Sequence, residues 1–306
     1  MRIAYACSHW MGFPGLELIQ SLGMLAGIAA PDTESDSVRL LRQLADRTRV
    51  PLLLVEKRGR RETLGVWLKE VGADVLFVVS FPWKIPDPVL TVPPLGCYNF
   101  HPGAVPGYRG IEPIFWTLRN GEAQTAVSVI RMDSGFDTGD VILSSTLPVH
   151  TDDTYGLLLN KLSVTARNAI ETLLRKWRAN EFPDGVSQPR DPIVLRHRPT
   201  IGDLTINWRA QTAAQIRNLV RAANPAFDGA VVNLRGFPFR LLAVSVAQQS
   251  PEPGVMPGTV LRVDPMTVAC LDGALTIDVI SSREGVFSGG MFAGCFGISR
   301  GELFSS

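Results

Sequence analysis

The chain has 306 residues, 45% of them apolar and 19% charged, with 30 Lys and Arg against 29 Asp and Glu. That length suits two domains, each with its own core. A net charge of +1 gives no general electrostatic case for nucleic-acid binding, and no uninterrupted apolar run reaches membrane-spanning length.

Cys7, Cys97, Cys270 and Cys295 are scattered without C-x-x-C spacing, which predicts reduced thiols rather than a disulfide frame or zinc site. Met1-Arg2 leads straight into an apolar run with no small-residue cleavage site, so a cytoplasmic protein without a membrane partner is expected. Strands are expected at 2–6, 25–30, 51–55 and 74–79, and helices at 16–22, 37–47 and 61–71; Val38, Leu41 and Leu44 mark the apolar face of the second helix. Alternation of this kind predicts βαβ units and a parallel, Rossmann-like sheet. The first loop, Ser8 to Gly15, carries Gly12 and Gly15 but not G-x-G-x-x-G, which argues against a dinucleotide oxidoreductase. The basic run Glu56 to Glu62 reads as a solvated loop. In Ser80-Phe81-Pro82-Trp83-Lys84-Ile85-Pro86, two prolines pin the backbone, so its polar groups present a fixed pattern suited to a planar heterocycle. The competing use of Phe81 and Trp83 is packing.

Cys97 to Asp140 holds the densest chemistry. Cys97 to His101 reads as a strand, and alternation puts Asn99 and His101 on one face, at the carboxyl edge where open α/β sheets bind ligands. Pro102-Gly103 ends that strand, and Val105 to Gly110 reads as a rigid turn. After a helix at 114–118 and a strand at 125–132 comes Asp133 to Asp140, a carboxylate-rich loop bent at Gly135 and Gly139. An amide, an imidazole and a carboxylate on neighbouring turns suit acyl transfer: an oxyanion donor, a proton-handling ring and the group that orients it.

Asn99-x-His101, then Pro106-x-x-Arg109-Gly110-x-x-Pro113, then Asp137-Thr138-Gly139, resembles the folate-dependent formyltransferase family. The resemblance implies transfer of a formyl group from 10-formyltetrahydrofolate, as co-substrate, to an amine, with no metal. It implies Asn99, His101 and Asp137 as the catalytic trio. It places the folate against Ser80, Phe81, Pro82, Trp83 and Ile85, with Asp133 and Gly135. It places the acceptor against Ser8, His9, Met11 and Gly12, with Arg109 as a second candidate either for holding substrate or for fixing the loop. From sequence, His101 can act protonated or neutral.

A strand at 141–149 and a helix at 155–175, with Leu157, Leu158, Leu162, Ala166, Ala169, Ile170 and Leu173 on its apolar face, complete a catalytic domain over 1–188. Residues 189–202, with three prolines, read as a linker, and Arg196-His197-Arg198 as a solvated basic spot. From 203 to 306, a helix at 212–222 capped by Thr212 and short strands at 230–234, 239–246, 258–263, 267–270 and 274–279 predict a small β-barrel. This part resembles the OB-like carboxyl-terminal barrel of the larger formyltransferases. Phe227, Phe237 and Phe239 with Arg235 and Arg240 could serve a nucleic-acid-reading barrel, but core packing is the better reading.

The family's methionyl-tRNA members carry a basic, glycine-rich insertion after the second strand; here Pro31-Asp32-Thr33-Glu34-Ser35-Asp36 is short and acidic. An acidic loop repels a phosphate backbone. The opening Ser8-His9-Trp10-Met11-Gly12 is more similar to the amino-sugar members, such as UDP-4-amino-4-deoxy-L-arabinose formyltransferase. The expected partner is therefore a small-molecule amine, preferably a nucleotide-linked 4-amino sugar. Hydroxyornithine, methionyl-tRNA, or water in a 10-formyltetrahydrofolate hydrolase are the alternatives.

Overall fold

A computed structural model describes residues 1–58, 60–189, 195–248 and 251–305, without the side chains of Arg60 and Arg61. Gly59 in the basic run and 190–194 in the linker therefore lie outside the described residues. The chain forms two compact units: 1–113, 124–148 and 159–196 in the first, and 114–123, 149–158 and 197–306 in the second.

The elements run β1 (Ile3–Cys7), α1 (Phe13–Ser21), β2 (Leu25–Pro31), α2 (Asp36–Thr48), β3 (Leu52–Val55), α3 (Arg60–Glu70), β4 (Val75–Val79), α4 (Asp87–Leu90), β5 (Cys97–His101), α5 (Pro113–Arg119), β6 (Gln124–Arg131), β7 (Val141–Pro148) and α6 (Tyr155–Arg178). The seven strands form one sheet in the order β3-β2-β1-β4-β5-β6-β7. Strands β1 to β5 pair in parallel, as βαβ alternation requires, whereas β6 pairs antiparallel to both β5 and β7. The parallel, Rossmann-like core thus spans β1 to β5, and β6 and β7 extend it as an antiparallel edge, joined by a loop with no crossover helix, as antiparallel neighbours can be.

The central strands β1 and β4 are buried along their whole length, because both faces are covered. On one face Ala4, Ala6, Leu76 and Val78 belong to a cluster with Trp67 and Leu68 of α3. On the other, Phe77 meets Phe100 edge-on at 5.1 Å and Trp177 at 5.9 Å. Helix α6 buries Leu158, Leu162, Ala166, Ala169, Ile170 and Leu173 as its periodicity predicts, but Leu157 is half exposed, at 51%. Strand order reverses between β1 and β4, and their carboxyl ends, Cys7 and Val79, open there. That crevice is where such sheets bind ligands.

The second unit contains α7 (Ile201–Leu204), α8 (Ala213–Ala223), β8 (Ala230–Leu234), β9 (Phe237–Val246), β10 (Val260–Val263), β11 (Met266–Ala269), β12 (Ala274–Ser282), β13 (Gly285–Ser288), α9 (Gly289–Cys295) and β14 (Phe304–Ser305). Its antiparallel sheet runs β10-β11-β12-β9-β8-β14. Main-chain bonds from Val260 to Glu302 and from Phe304 to Gly258 join the two ends, curling the sheet back on itself. Phe239 and Phe292 pack edge-on at 5.0 Å, and Phe227 packs on Phe115 at 5.3 Å. Phe237 is exposed, and Arg235 is engaged with Glu302 at 2.7 Å. The rings thus serve mostly as core.

Thr212 caps α8 through Gln215 N–H, and Gln215 caps Thr212 N–H in return. Thr212→Ala is expected to cost about 1 kcal/mol of stability, seen as a lower urea midpoint at unchanged slope.

Candidate active site

The site forms where the loops after β1, β4 and β5 meet the β6–β7 loop. Asn99 and His101 stand on one face of β5, as alternation requires. Asp137 reaches them from the other loop in the left-handed conformation, φ +56°. Ser80 (φ +52°) and Glu112 (φ +56°), on the loops after β4 and β5, are held there too. Non-glycine residues adopt this conformation only where their surroundings impose it, and such positions cluster at functional sites.

Asp137 is the hub. Asn99 Nδ2 donates to its Oδ1 at 2.9 Å, and the Gly110 N–H donates to Oδ2 at 3.0 Å. His101 Nδ1 faces the same Oδ2 at 3.5 Å, with both side chains almost wholly buried. The other ring nitrogen, Nε2, lies 2.7 Å from the Tyr108 carbonyl, which can only accept, so Nε2 carries a proton. A neutral ring would then turn a bare Nδ1 lone pair towards a carboxylate, whereas an imidazolium would satisfy both neighbours. The Tyr108 turn is itself tied down: Ser128 Oγ donates to Gly103 O at 2.8 Å, and Tyr108 N–H to Ala104 O at 3.0 Å.

Arg109 is fully buried. Its Nε and Nη2 donate to Gln188 Oε1 at 2.9 and 2.7 Å. Burial lowers its pKa, with Asp137 and Asp133 opposing. The guanidinium is thus engaged with Gln188, the arrangement that fixing the loop requires. Arg196, expected in solvent, instead lies 5.1 Å over the Tyr108 ring, its main chain bridged to Gly110. The reason is geometric: pairing with residues 109–111 carries that side chain onto the aromatic face.

In the loop after β4, Ile85 is buried and anchors the turn, while Phe81 and Trp83 pack edge-on at 5.7 Å and lean on the same core. Pro82 stands exposed. Lys84 Nζ donates to the Ser134 carbonyl, tying this loop to the aspartate loop. Asp133 Oδ1 accepts from Gly135 N–H at 3.0 Å and Thr138 Oγ1 at 2.7 Å, so Asp133 and Gly135 brace their own turn.

In the first loop, Ser8 Oγ donates to the Ser80 carbonyl, joining the ends of β1 and β4. His9 is half-buried, and burial lowers its pKa against the opposing charge of Glu112. Its Nδ1 accepts from Met11 N–H at 3.5 Å. Met11 and Gly12 point inward. The Met11 carbonyl accepts from Ser163 at 3.0 Å, the Gly12 carbonyl accepts from Tyr5 Oη at 2.8 Å, and a Cβ on Gly12 would lie 2.8 Å from that of Cys7. The Met11 side chain is buried in the core. Gly12 serves close packing over β1, which also explains a glycine here without a phosphate fingerprint.

Gln188, Ser128, Gly110 N–H and Tyr108 O are the site groups the sequence reading missed. Gln188, Ser128 and the Gly110 N–H act through hydrogen bonds to groups 25 or more residues away, and Tyr108 O through the fold of its own loop, none of which leaves a local pattern. Burial pushes the Cys7 and Cys97 thiols up to about 12. No group of three or more His, Cys, Asp or Glu that could hold a metal occurs among the described residues, and no helix among them is long and apolar enough to cross a membrane. A cavity of about 850 Å³ lies on the second unit's sheet, lined by Val246, Arg262, Thr276 and Arg300 among others; none of the predicted site residues borders it.

Residues 27–174 match the pattern of the formyl transferase family, and residues 201–286 that of the formyl transferase C-terminal domain. The chain is 30% identical over 256 residues to the methionyl-tRNA formyltransferase of Geobacter metallireducens, covering 82% of this chain and 80% of that protein. Identity to its counterpart in Alcanivorax borkumensis is also 30%, over 290 residues, 91% of this chain and 86% of that one. Among solved structures, the N-formyltransferase from Helicobacter canadensis in complex with folinic acid and dTDP-3-aminofucose superposes with a TM-score of 0.68 at 16% identity, over 90% of this chain and 98% of that one. HypX from Aquifex aeolicus with tetrahydrofolic acid superposes at 0.62 and 18% identity, over 97% of this chain and 47% of that one. At such identities the two structures speak for the fold alone.

Proposed function

We propose a reaction from one premise, that the chain belongs to the formyl transferase family and is a 10-formyltetrahydrofolate-dependent formyltransferase. The trio is Asn99, His101 and Asp137, and the observation that carries it is the convergence of the amide and the imidazole on one carboxylate. Asn99 has one N–H on Asp137 and a second to give to the formyl oxygen as it gains negative charge. A single such donor contributes about 3 kcal/mol in the transition state. With both ring nitrogens facing oxygens, His101 is arranged as a donor that charges and orients the site rather than as the base. Asp137, the member without a proton, takes the one the amine sheds. The amine nitrogen bonds to the formyl carbon, the bond from that carbon to the folate nitrogen breaks, and the proton passes to the leaving nitrogen. Ser80 to Ile85 is the folate-facing loop, supported by its buried anchor at Ile85. Ser8 and His9 face the acceptor.

The acceptor is a small amine, preferably a nucleotide-linked 4-amino sugar. The short acidic turn between β2 and α2 supports this. Its nearby cations Arg42 and Arg39 are engaged by Asp32 and Asp36 at 3.2 and 3.3 Å, and no basic insertion stands there to meet a phosphate backbone. A second reading, methionyl-tRNA, is favoured by the names of the relatives at 30% identity. Mass spectrometry after incubation with 10-formyltetrahydrofolate and a panel of nucleotide amino sugars, hydroxyornithine and methionyl-tRNA separates them. A gain of one formyl group on the amino sugar is expected. Labelling of the tRNA alone would reject the acceptor and keep the chemistry; formate release with no labelled amine would make the chain a hydrolase.

A further inference from the structure

Gln188 belongs to no helix or strand, yet it makes four close hydrogen bonds at the centre of the site's support. Its Oε1 accepts twice from the Arg109 guanidinium, at 2.9 and 2.7 Å. Its Nε2 donates to the carbonyls of Asp137 and Gly139, at 3.1 and 2.6 Å. Arg109 is bonded covalently to Gly110, whose N–H holds the Asp137 carboxylate. A closed ring results: Asp137 side chain, Gly110, Arg109, Gln188, Asp137 main chain. It grips one residue from both sides, and that residue sits in a conformation its own backbone disfavours.

The segment carrying Gln188 is itself anchored beside the loop. Val186 and Val141 exchange both main-chain bonds at 2.9 Å, and Ser187 Oγ donates to Asp140 Oδ1 at 2.9 Å. The position calls for an amide: an acceptor for the guanidinium and donors for two carbonyls on one planar group. A carboxylate lacks the donors, an ammonium lacks the acceptor, and Asn is one methylene short.

We propose that Gln188 is a positioning residue, which locks the main chain of Asp137 in the left-handed conformation that presents its carboxylate to Asn99 and His101. The proposal rests on the catalytic reading of Asp137 above. It makes turnover depend on a side chain that touches no substrate and lies 51 residues beyond the residue it holds.

The test is a double-mutant cycle with Asp137→Asn in the full chain, assayed with 10-formyltetrahydrofolate and whichever amine of the panel takes up label. Gln188→Leu is expected to lower kcat about 10- to 100-fold, as small misplacements of catalytic groups do, with KM for the folate changed by less than about threefold. In the Asp137→Asn background the same change is expected to cost less than about twofold, because the group it positions is already gone. A full second loss in that background, or an effect confined to KM, would reduce Gln188 to packing and overturn the proposal. Should Gln188→Leu fail to fold, Gln188→Asn takes its place with the same expectations; if both fail, Gln188 is a folding residue and the proposal falls. An Asp137→Asn enzyme with normal turnover would instead sink the catalytic trio itself, while an inactive Asp137→Asn beside a fully active Gln188→Leu sinks only the role given to Gln188.

Discussion

Asp137→Asn is expected to lower kcat about 10³-fold, within the range for loss of a positioned acid–base group, while the fold survives. Asn tolerates the left-handed conformation that residue 137 adopts, so the main chain keeps its place. The electrostatics do not survive. One oxygen of the carboxylate accepts from Asn99, and the other accepts from Gly110 and faces His101. An amide at 137 must turn its NH₂ towards one of those sides, where it meets a donor. It also removes the negative charge opposite the imidazole and the site that takes the amine proton. Steady-state kinetics with the formylated acceptor measure the loss, and circular dichroism checks the fold. A loss below about tenfold would mean that proton handling lies elsewhere.

The second large effect is structural. Gly110→Ala is expected to destabilise the protein by about 2–4 kcal/mol, the range for strain at a special backbone position combined with a clash. Gly110 sits at φ +103°, where an L side chain is strained in any surroundings. A Cβ there would also fall onto the Arg196 carbonyl and lie 2.7 Å from the Arg196 nitrogen. Both are backbone atoms in a bridge, with Arg196 N–H on Arg109 O at 2.9 Å and Ile111 N–H on Arg196 O at 2.8 Å, so neither can rotate aside. The strand-like contact must open, and the Gly110 N–H that steadies Asp137 moves with it. Urea unfolding gives the stability change; a midpoint within about 0.5 kcal/mol of the parent, the usual range for neutral surface changes, would show that the loop relaxes freely. The same variant should lose turnover, since the ring through Gln188 passes through residue 110.

What could be read from residues alone was whatever repeats locally or sits in a short word. The β1 and β4 runs are continuously apolar, and both turned out buried on both faces. The helical spacing after Tyr155 picked out the buried stripe, missing only at Leu157, which sits at the edge of the periodic face. Asn99 and His101, two apart on a strand, had to share a face, and the glycines around Asp137 announced a turn. These signals need only neighbours within about one turn of chain, and they led to the family and its fold.

The tertiary structure decided everything that depends on which distant groups meet. Nothing near Arg109 in sequence says that Gln188 will take its guanidinium. Nothing near His101 says that Tyr108 O will claim Nε2 and so orient the ring as a donor. Met11 and Gly12 look like loop residues until Ser163 and Tyr5 are seen to hold their carbonyls. The antiparallel turn of β6 and the closure of the second sheet by residues 258–260 and 301–304 are likewise pairings across the fold. Secondary structure and motif chemistry are encoded in short-range sterics and periodicity. The role of a buried polar group is set by the partner that satisfies it, and that partner is chosen only when the chain has folded.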